Sequence, residues 1–387
     1  MYDLLIKGGR VTDPAQKVDG VFDVAINGQK IALVAKDISP AEGKQVLNAK
    51  GKIVTPGLID LHCHIFDSIH GISIEPDIAG VKQGVTTVAD GGSTGQATFR
   101  AFLKYIIPPS KSAVFCFLHL CSLGQLLTPE LRDWEGIDLD AIKAVVNSNR
   151  EIIKGIKLRL VGNIVASDGP KVIKITRELA RSLGLPMMVH IGDPEELVPP
   201  ELTQELLGVM DAGDILTHVF TSKQGGILRP DGTILPELRE AMDRGIVMEV
   251  AHGRNNFSFA VARKCMDQGI LPTVLSTDIN TLCLNGPVFG LAAVMSKFMA
   301  LGLSLGEVIK MSTINPARAL GIDNRAGSLQ CGMDADVSIL ELNSGKWEME
   351  DSIGQTMLAT SLLTPRMTIK SGLVIPAEPA AWPQPVK

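Results

Sequence analysis

Between Pro56 and Asp278 the chain repeats one unit, a short apolar β-rich run followed by an amphipathic or loop stretch. The runs fall at 58–64, 85–90, 113–120, 152–160, 187–191, 214–220, 246–252 and 271–278. Helical patterning separates them at Gly169–Leu183, Leu202–Asp211, Leu235–Asp243 and Phe257–Asp267. Gly84, Gly184, Gly213, Gly245 and Gly269 each stand just before a run, where helices commonly end. Runs such as Ile246-Val247-Met248-Glu249-Val250 are apolar almost throughout, the pattern of a parallel strand covered on both faces. Eight such units, with the helical stretches that follow them up to residue 320, span about 260 residues and predict an α/β fold, a (β/α)8 TIM barrel. A doubly wound open sheet is the structural alternative, but no glycine-rich phosphate turn follows the first run.

Both ends of the chain read differently. Leu4–Ile6, Val21–Ile26 and Lys30–Val34 are β-like, with turns at Gly8-Gly9, Asp13-Pro14 and Asn27-Gly28. Asn-Gly between apolar runs is a hairpin signal. After Gly321, Val337–Leu340 and Met367–Val374 resemble these segments. The expected organisation is a small β-sandwich domain made of residues 1–55 and 321–375, with the barrel, 56–320, inserted between its halves. The stretches Val288–Leu301, Leu305–Met311 and Pro316–Leu320 would complete the barrel, and the proline-rich residues 376–387 would form a loosely held tail.

Composition excludes several classes. With 45% hydrophobic and 20% charged residues the chain is globular. A net charge of −5 offers no basic footprint for nucleic acid. The longest apolar stretch, Ala113–Leu127, is broken by His119, Ser122, Gly124 and Gln125 and is too short for a bilayer, so no membrane partner is expected. The N-terminus lacks a signal-peptide apolar core. Six cysteines, at 63, 116, 121, 265, 283 and 331, form no CxxC pair and read as reduced thiols of a cytoplasmic protein, expected to be a homo-oligomer.

The first run ends Asp60-Leu61-His62-Cys63-His64. In a strand, residues two apart share a face, so His62 and His64 could hold one metal ion, with Asp60 one step deeper and Cys63 on the other face. Two histidines satisfied by hydrogen bonds at a strand end are the other reading. In a barrel, chemistry sits at the C-terminal strand ends. There the runs place His62 and His64, His119, Lys157 with Arg159, His190, His218, His252 and Asp278. Only His70 of the seven histidines falls in a loop.

Lys157 is costly inside an apolar strand, and an ammonium has no lone pair for a cation. It either pairs with a carboxylate such as Asp278, or carries CO2 as a carbamate, an anionic group whose two oxygens can bridge two metals.

On these residues the chain resembles the amidohydrolase superfamily over essentially its whole length. The pattern is HxH on strand one, Lys on strand four, His on strands five and six and Asp on strand eight. Further resemblance lies in Thr55-Pro56-Gly57-Leu58-Ile59-Asp60, Thr313-Ile314-Asn315-Pro316-Ala317, Gly327-Ser328-Leu329 and Gly332-Met333-Asp334-Ala335-Asp336. Within the superfamily it is most similar to the binuclear deacetylase subgroup, some of whose members act on small acetylated acids such as acetyl-(R)-mandelate. The resemblance implies two divalent ions, zinc by preference. His62, His64 and Asp278 would hold one, His190 and His218 the other, and a carbamate on Lys157 and a hydroxide would bridge them. It implies attack of that hydroxide on the amide or ester of a small acylated substrate, with Asp278 handling the proton.

Arg159 could clamp a substrate carboxylate or form an ion pair, and His252 could touch substrate or serve the core. His119 reads as structural, Glu249 as a barrel-wall carboxylate, and Arg229, Arg254, Gly91–Ser93 and Asn280 as residues of the mouth. Three alternatives accompany this reading. A cyclic amidase of hydantoinase or dihydroorotase type would want a tyrosine near the metals, and only Tyr2 and Tyr105 exist. A mononuclear deaminase would draw on Glu195 or Glu196 as proton shuttle. A non-catalytic scaffold would have lost ligands that this chain keeps.

Overall fold

The structure, a computed structural model, describes residues 1–386. Strands β1 (Tyr2–Asp13), β2 (Val18–Asn27), β3 (Lys30–Ala35), β4 (Gly43–Asn48) and β5 (Ile53–Pro56) precede the repeating units. The units contribute β6 (Leu58–Cys63), β7 (Val85–Asp90), β8 (Ala113–His119), β9 (Ile153–Arg159), β10 (Met187–His190), β11 (Ile215–Thr217) and β12 (Val247–Glu249). The chain closes with β13 (Val337–Glu350), β14 (Thr356–Lys370) and β15 (Leu373–Pro376).

Strands β6 to β12 form a seven-stranded parallel sheet in sequence order. Its faces follow the two-residue period of a strand. Val114, Cys116 and Leu118 of β8, Ile156 and Leu158 of β9, and Met187 and Val189 of β10 pack toward the helices. Phe115, Phe117 and Met188 join a second apolar cluster on the opposite face. Lys157 and His190 have the parity of that second face, beyond its apolar layer.

The eighth expected strand does not form a ladder. Residues 271–278 contain Pro272, and only single parallel bridges join Val274 to Glu249 and Ile279 to Cys63. Individual bonds hold the segment instead. Asp278 N donates to His62 O (2.6 Å), His64 N to Ile279 O (3.0 Å) and Gly253 N to Thr277 O (2.8 Å). Fully buried Asp60 accepts from Thr277 N (3.0 Å) and Thr277 Oγ1 (2.6 Å). The sheet is therefore a curled seven-stranded parallel sheet whose two edges are bridged irregularly.

The helices begin and end near the expected places. Asn163–Leu183 is longer than predicted, because a first turn precedes the break at Asp168. Pro170, which has no N–H to donate, sits just after that break. Gly184 closes the helix in the left-handed conformation (φ 63°). Leu202–Val209, Pro236–Asp243, Phe259–Asp267, Leu291–Ala300, Leu305–Met311 and Ile314–Ala319 follow.

The termini build one connected eight-stranded sheet, ordered β15-β14-β13-β5-β1-β2-β3 with β4 also on β1. Within it β1 pairs with β2, β4 and β5, so the two termini form a sheet separate from the parallel one. The Asn27-Gly28 hairpin between β2 and β3 is present. Near the C-terminus Pro385 bridges Trp347, and Val386 N donates to Lys346 O (2.7 Å). Among the described residues no helix is long and apolar enough to cross a membrane. All six cysteines are free thiols, and only Cys331 is exposed.

Candidate metal centre

The C-terminal ends of the parallel strands converge on one buried cluster. His62, His64 and Asp278 present ligand-type atoms all within 4.8 Å of one another. His64 Nε2 lies 2.9 Å and His62 Nε2 3.7 Å from Asp278 Oδ1. Lys157 Nζ lies 3.3 Å from His62 Nε2. The ring of His218 is 5.4 Å from that of His62 and 4.2 Å from that of His190, centroid to centroid. All six residues expected as ligands are buried and are brought together.

Local backbone aims these side chains. The β6–β7 ladder is interrupted between Asp60 and Cys63, at the histidine pair. His218 (φ 67°) and Asp278 (φ 52°) occupy the left-handed region, a conformation that costs a non-glycine residue about 1 kcal/mol or more and recurs at functional sites. The turn after β7 comes very close to the cluster. A Cβ on Gly91 would stand 2.1 Å from His62 Cδ2, and one on Gly92 2.5 Å from Lys157 Cγ. Asp90 ties that turn by accepting from Gly92 N (3.0 Å) and Ser93 N (2.6 Å).

A surrounding layer orients the imidazoles. His62 Nδ1 lies 3.1 Å from Glu249 Oε2 and 3.2 Å from Thr217 Oγ1. His64 Nδ1 lies 2.8 Å from Ser93 Oγ, and His218 Nδ1 lies 2.8 Å from Ala251 O. A carbonyl only accepts, so His218 carries its proton on Nδ1 and turns a bare Nε2 elsewhere. Such outer partners fix the tautomer of ligating histidines. Asp278 Oδ2 accepts from Asn256 Nδ2 (3.1 Å).

The electrostatics suit a cation. Burial opposes ionisation of Asp278, but His64 bonded to it and the neighbouring His62 and His218 hold its pKa far below the carboxylate range. Burial likewise opposes ionisation of Glu249, yet His62 and Lys157 keep it below its ordinary value. Burial pushes His218 down to about 3 and His190 well below normal, so both rings are neutral. Lys157 falls to about 8, with burial the main cause and Glu249 and Asp278 opposing it. Among the described residues it makes no ion pair, with Asp278 or any other carboxylate.

The remaining candidates lie around or behind this cluster. Arg159 pairs with buried Glu130, whose second oxygen, Oε2, has no partner. His119 is fully buried; its Nδ1 accepts from Cys121 N (2.9 Å), and its Nε2 has no partner. His252 is not in the cluster. Its Nε2 lies 2.7 Å from the ammonium of buried Lys297, and its ring packs 4.5 Å from that of Phe257. Arg229, Arg254, Glu195 and Glu196 are exposed, and Tyr105 is 58% exposed. Glu249, Ser93 and Asn256, which touch three of the six, are the site residues that sequence reasoning undervalued or missed. A lone glutamate in an apolar strand was the one available signal.

Residues 53–375 match the amidohydrolase family. A deacetylase from Agrobacterium fabrum is 36% identical over 351 residues, covering 90% of this chain and 85% of its own. A solved structure described as an adenine deaminase superposes with a TM-score of 0.89 at 32% identity, covering 97% of this chain and 100% of that one. Another, described as a dihydroorotase, gives 0.86 at 33% identity, with 97% and 99% covered.

Proposed function

The chain belongs to the amidohydrolase family, and from that premise we propose that it is a binuclear metal-dependent deacetylase of small acylated acids. The observation that carries this reading is Lys157: fully buried, 3.3 Å from a ligand-type nitrogen of His62 and without a carboxylate partner. An ammonium there would repel a cation. Converted to a carbamate, the same side chain would offer anionic oxygen donors to ions held by His62, His64 and Asp278 and by His190 and His218. Burial lowers its pKa to about 8, which favours the free amine whose nitrogen would bond the carbon of CO2 and release one proton to solvent. The donor set of imidazole and carboxylate suits zinc.

Two divalent ions so held would supply Lewis acidity, making a water nucleophilic near neutral pH and polarising the scissile carbonyl. The chain's own residues do the rest. Asp278, ionised and steadied through Oδ2 by Asn256, takes a proton from the attacking water and delivers it to the leaving nitrogen or oxygen. The C–N or C–O bond breaks, giving a carboxylate and an amine or alcohol. Glu249, Ser93 and Ala251 O hold the imidazoles in register. Arg159 keeps guanidinium donors beyond its contact with Glu130 for a substrate carboxylate.

The Agrobacterium fabrum relative supports the deacetylase reading. A deaminase shuttle has no seat at Glu195 or Glu196, which face solvent, while nearby Asp193 is committed to the backbone N–H groups of Glu195, Leu197 and Val198. A ring-opening amidase of the tyrosine-using type finds Tyr105 at the surface. The test is a screen of metal-loaded protein against N-acetyl and O-acetyl acids, dihydroorotate, hydantoins and adenine. Release of acetate from acetylated acids is expected; ammonia from adenine, or ring opening alone, would overturn the reading.

A further inference from the structure

The end of the parallel sheet opposite the histidine cluster carries a feature that this chemistry does not use. A cleft of about 880 Å³ opens at the N-terminal ends of β9 to β12. Five cationic side chains line it, Arg150, Lys154, Arg177, Arg181 and Arg318, against two carboxylates, Asp211 and Asp214. The local formal charge is thus three positive (five minus two), on a chain whose total is −5.

Both carboxylates are already taken. Asp214 pairs with Arg177, and Asp211 receives a two-pronged contact from Arg181 at 2.8 and 2.9 Å. The other three cations have no such partner inside the cleft. Arg150 donates only to neutral acceptors, Leu183 O (2.9 Å) and Asn147 Oδ1 (2.8 Å). Lys154 has a weak contact with Arg150 O at 3.5 Å. Arg318 has only a long, exposed ion pair with Asp323 outside the cleft, at 3.9 Å. Arg177, only 6% exposed, leaves Nε without a hydrogen bond, its nearest carboxylate oxygen standing 3.6 Å away on Asp211. Lys154 also shares the ring of Phe115 with a sixth cation, Arg325, at 5.0 and 5.8 Å. Cations outnumber carboxylates here, around a buried guanidinium with a donor to spare.

The geometry points to a binding site for a small multivalent oxyanion, a phosphate ester or a polycarboxylate, in this cleft. A guanidinium fork meets a pair of oxygens on either group, and Arg150 and Lys154, without a carboxylate partner, together with the free Nε of Arg177 suit a multiply charged anion. Lys154 precedes Lys157 by three residues, about 10 Å along the strand, and the apolar layer of Phe117 and Met188 lies between the two ends. The anion therefore binds without entering the histidine cluster.

Titration calorimetry of the metal-loaded protein with inorganic phosphate and, separately, with tricarballylate tests this. Saturable binding that weakens with added salt is expected from at least one probe. The double variant Lys154→Met/Arg318→Gln should lose about tenfold or more in affinity, as removal of charge-assisted bonds implies, while hydrolysis is unchanged. Lys154→Arg should retain binding, which separates lost charge from a disturbed fold. Phosphate alone binding would assign phosphate esters, and tricarballylate alone polycarboxylates. Absence of binding by both, or equal affinity in the double variant, overturns the proposal.

Discussion

Glu249 Oε2 stands 3.1 Å from His62 Nδ1, and this contact leaves the other ring nitrogen, Nε2, facing Lys157 and Asp278. Glu249 is itself fixed by Ser276 Oγ at 2.9 Å. Loss of an outer carboxylate of this kind typically costs 10–100-fold in metal affinity. Glu249→Gln should therefore bind metal about 10–100-fold more weakly in competition with a chelator. Affinity equal to the parent would show that Glu249 is only a wall residue.

Gly91 packs directly against the His62 ring. A Cβ there would lie 2.1 Å from Cδ2 and 2.3 Å from Nε2, so the ring must move. Gly91→Ala should cost about 1–3 kcal/mol of stability through overpacking. Hydrolysis should fall by about 100-fold, as misplacement of about 1 Å at a reacting centre does. Gly71→Ala, where a Cβ meets nothing within 4 Å, is the control and should change neither thermal unfolding nor rate.

Asn256 donates to the oxygen of Asp278 that does not face His64. Without it the carboxylate can rotate away from the leaving group. Asn256→Ala should lower kcat about tenfold with little change in KM, a loss on the scale of misdirected proton transfer. A raised KM at constant kcat would assign Asn256 to substrate binding instead.

Lys297 lies behind the site, donating to Pro287 O (2.8 Å) and Glu350 O (2.7 Å) and contacting His252 Nε2 (2.7 Å). Burial lowers its pKa from 10.5 to about 7, with the charges of Asp351 and Glu350 opposing the shift. Between these values the unfolded chain binds the extra proton, so this group makes folding more favourable as pH rises from about 7 toward 10.5. Lys297→Met removes that increment and leaves two carbonyls unanswered. The stability gap between parent and variant, read by denaturant unfolding, should widen between pH 7 and pH 9.5, a span inside the window set by that lowered pKa. A gap that narrows would contradict the assignment.

Much of this architecture is legible in the sequence because a strand's period of two is unforgiving. On β8 to β10 the alternation that sends Leu118, Leu158 and Val189 to the helices necessarily sends Lys157 and His190 the other way. The eighth run escapes such reading. Its register comes from Asp60, a side-chain partner 217 residues away from Thr277, and not from a ladder of its own. Asn256 and Ser93 escape for a related reason: loop residues carry no periodic signal, and only the folded turn shows which backbone they face. His252 shows the converse. Its strand-end position matches that of His190 and His218, but Lys297, on the helix Leu291–Ala300, draws it into the core.

The proposed binuclear centre requires Lys157, as its carbamate, to join two metal ions. Metal content per chain, measured on protein loaded in bicarbonate buffer, tests it most directly when parent and Lys157→Ala are compared. A bridged binuclear centre predicts about two ions in the parent and about one or fewer in the variant, with hydrolysis lost. Equal metal content in the two proteins, or a parent that saturates at a single ion, would contradict it.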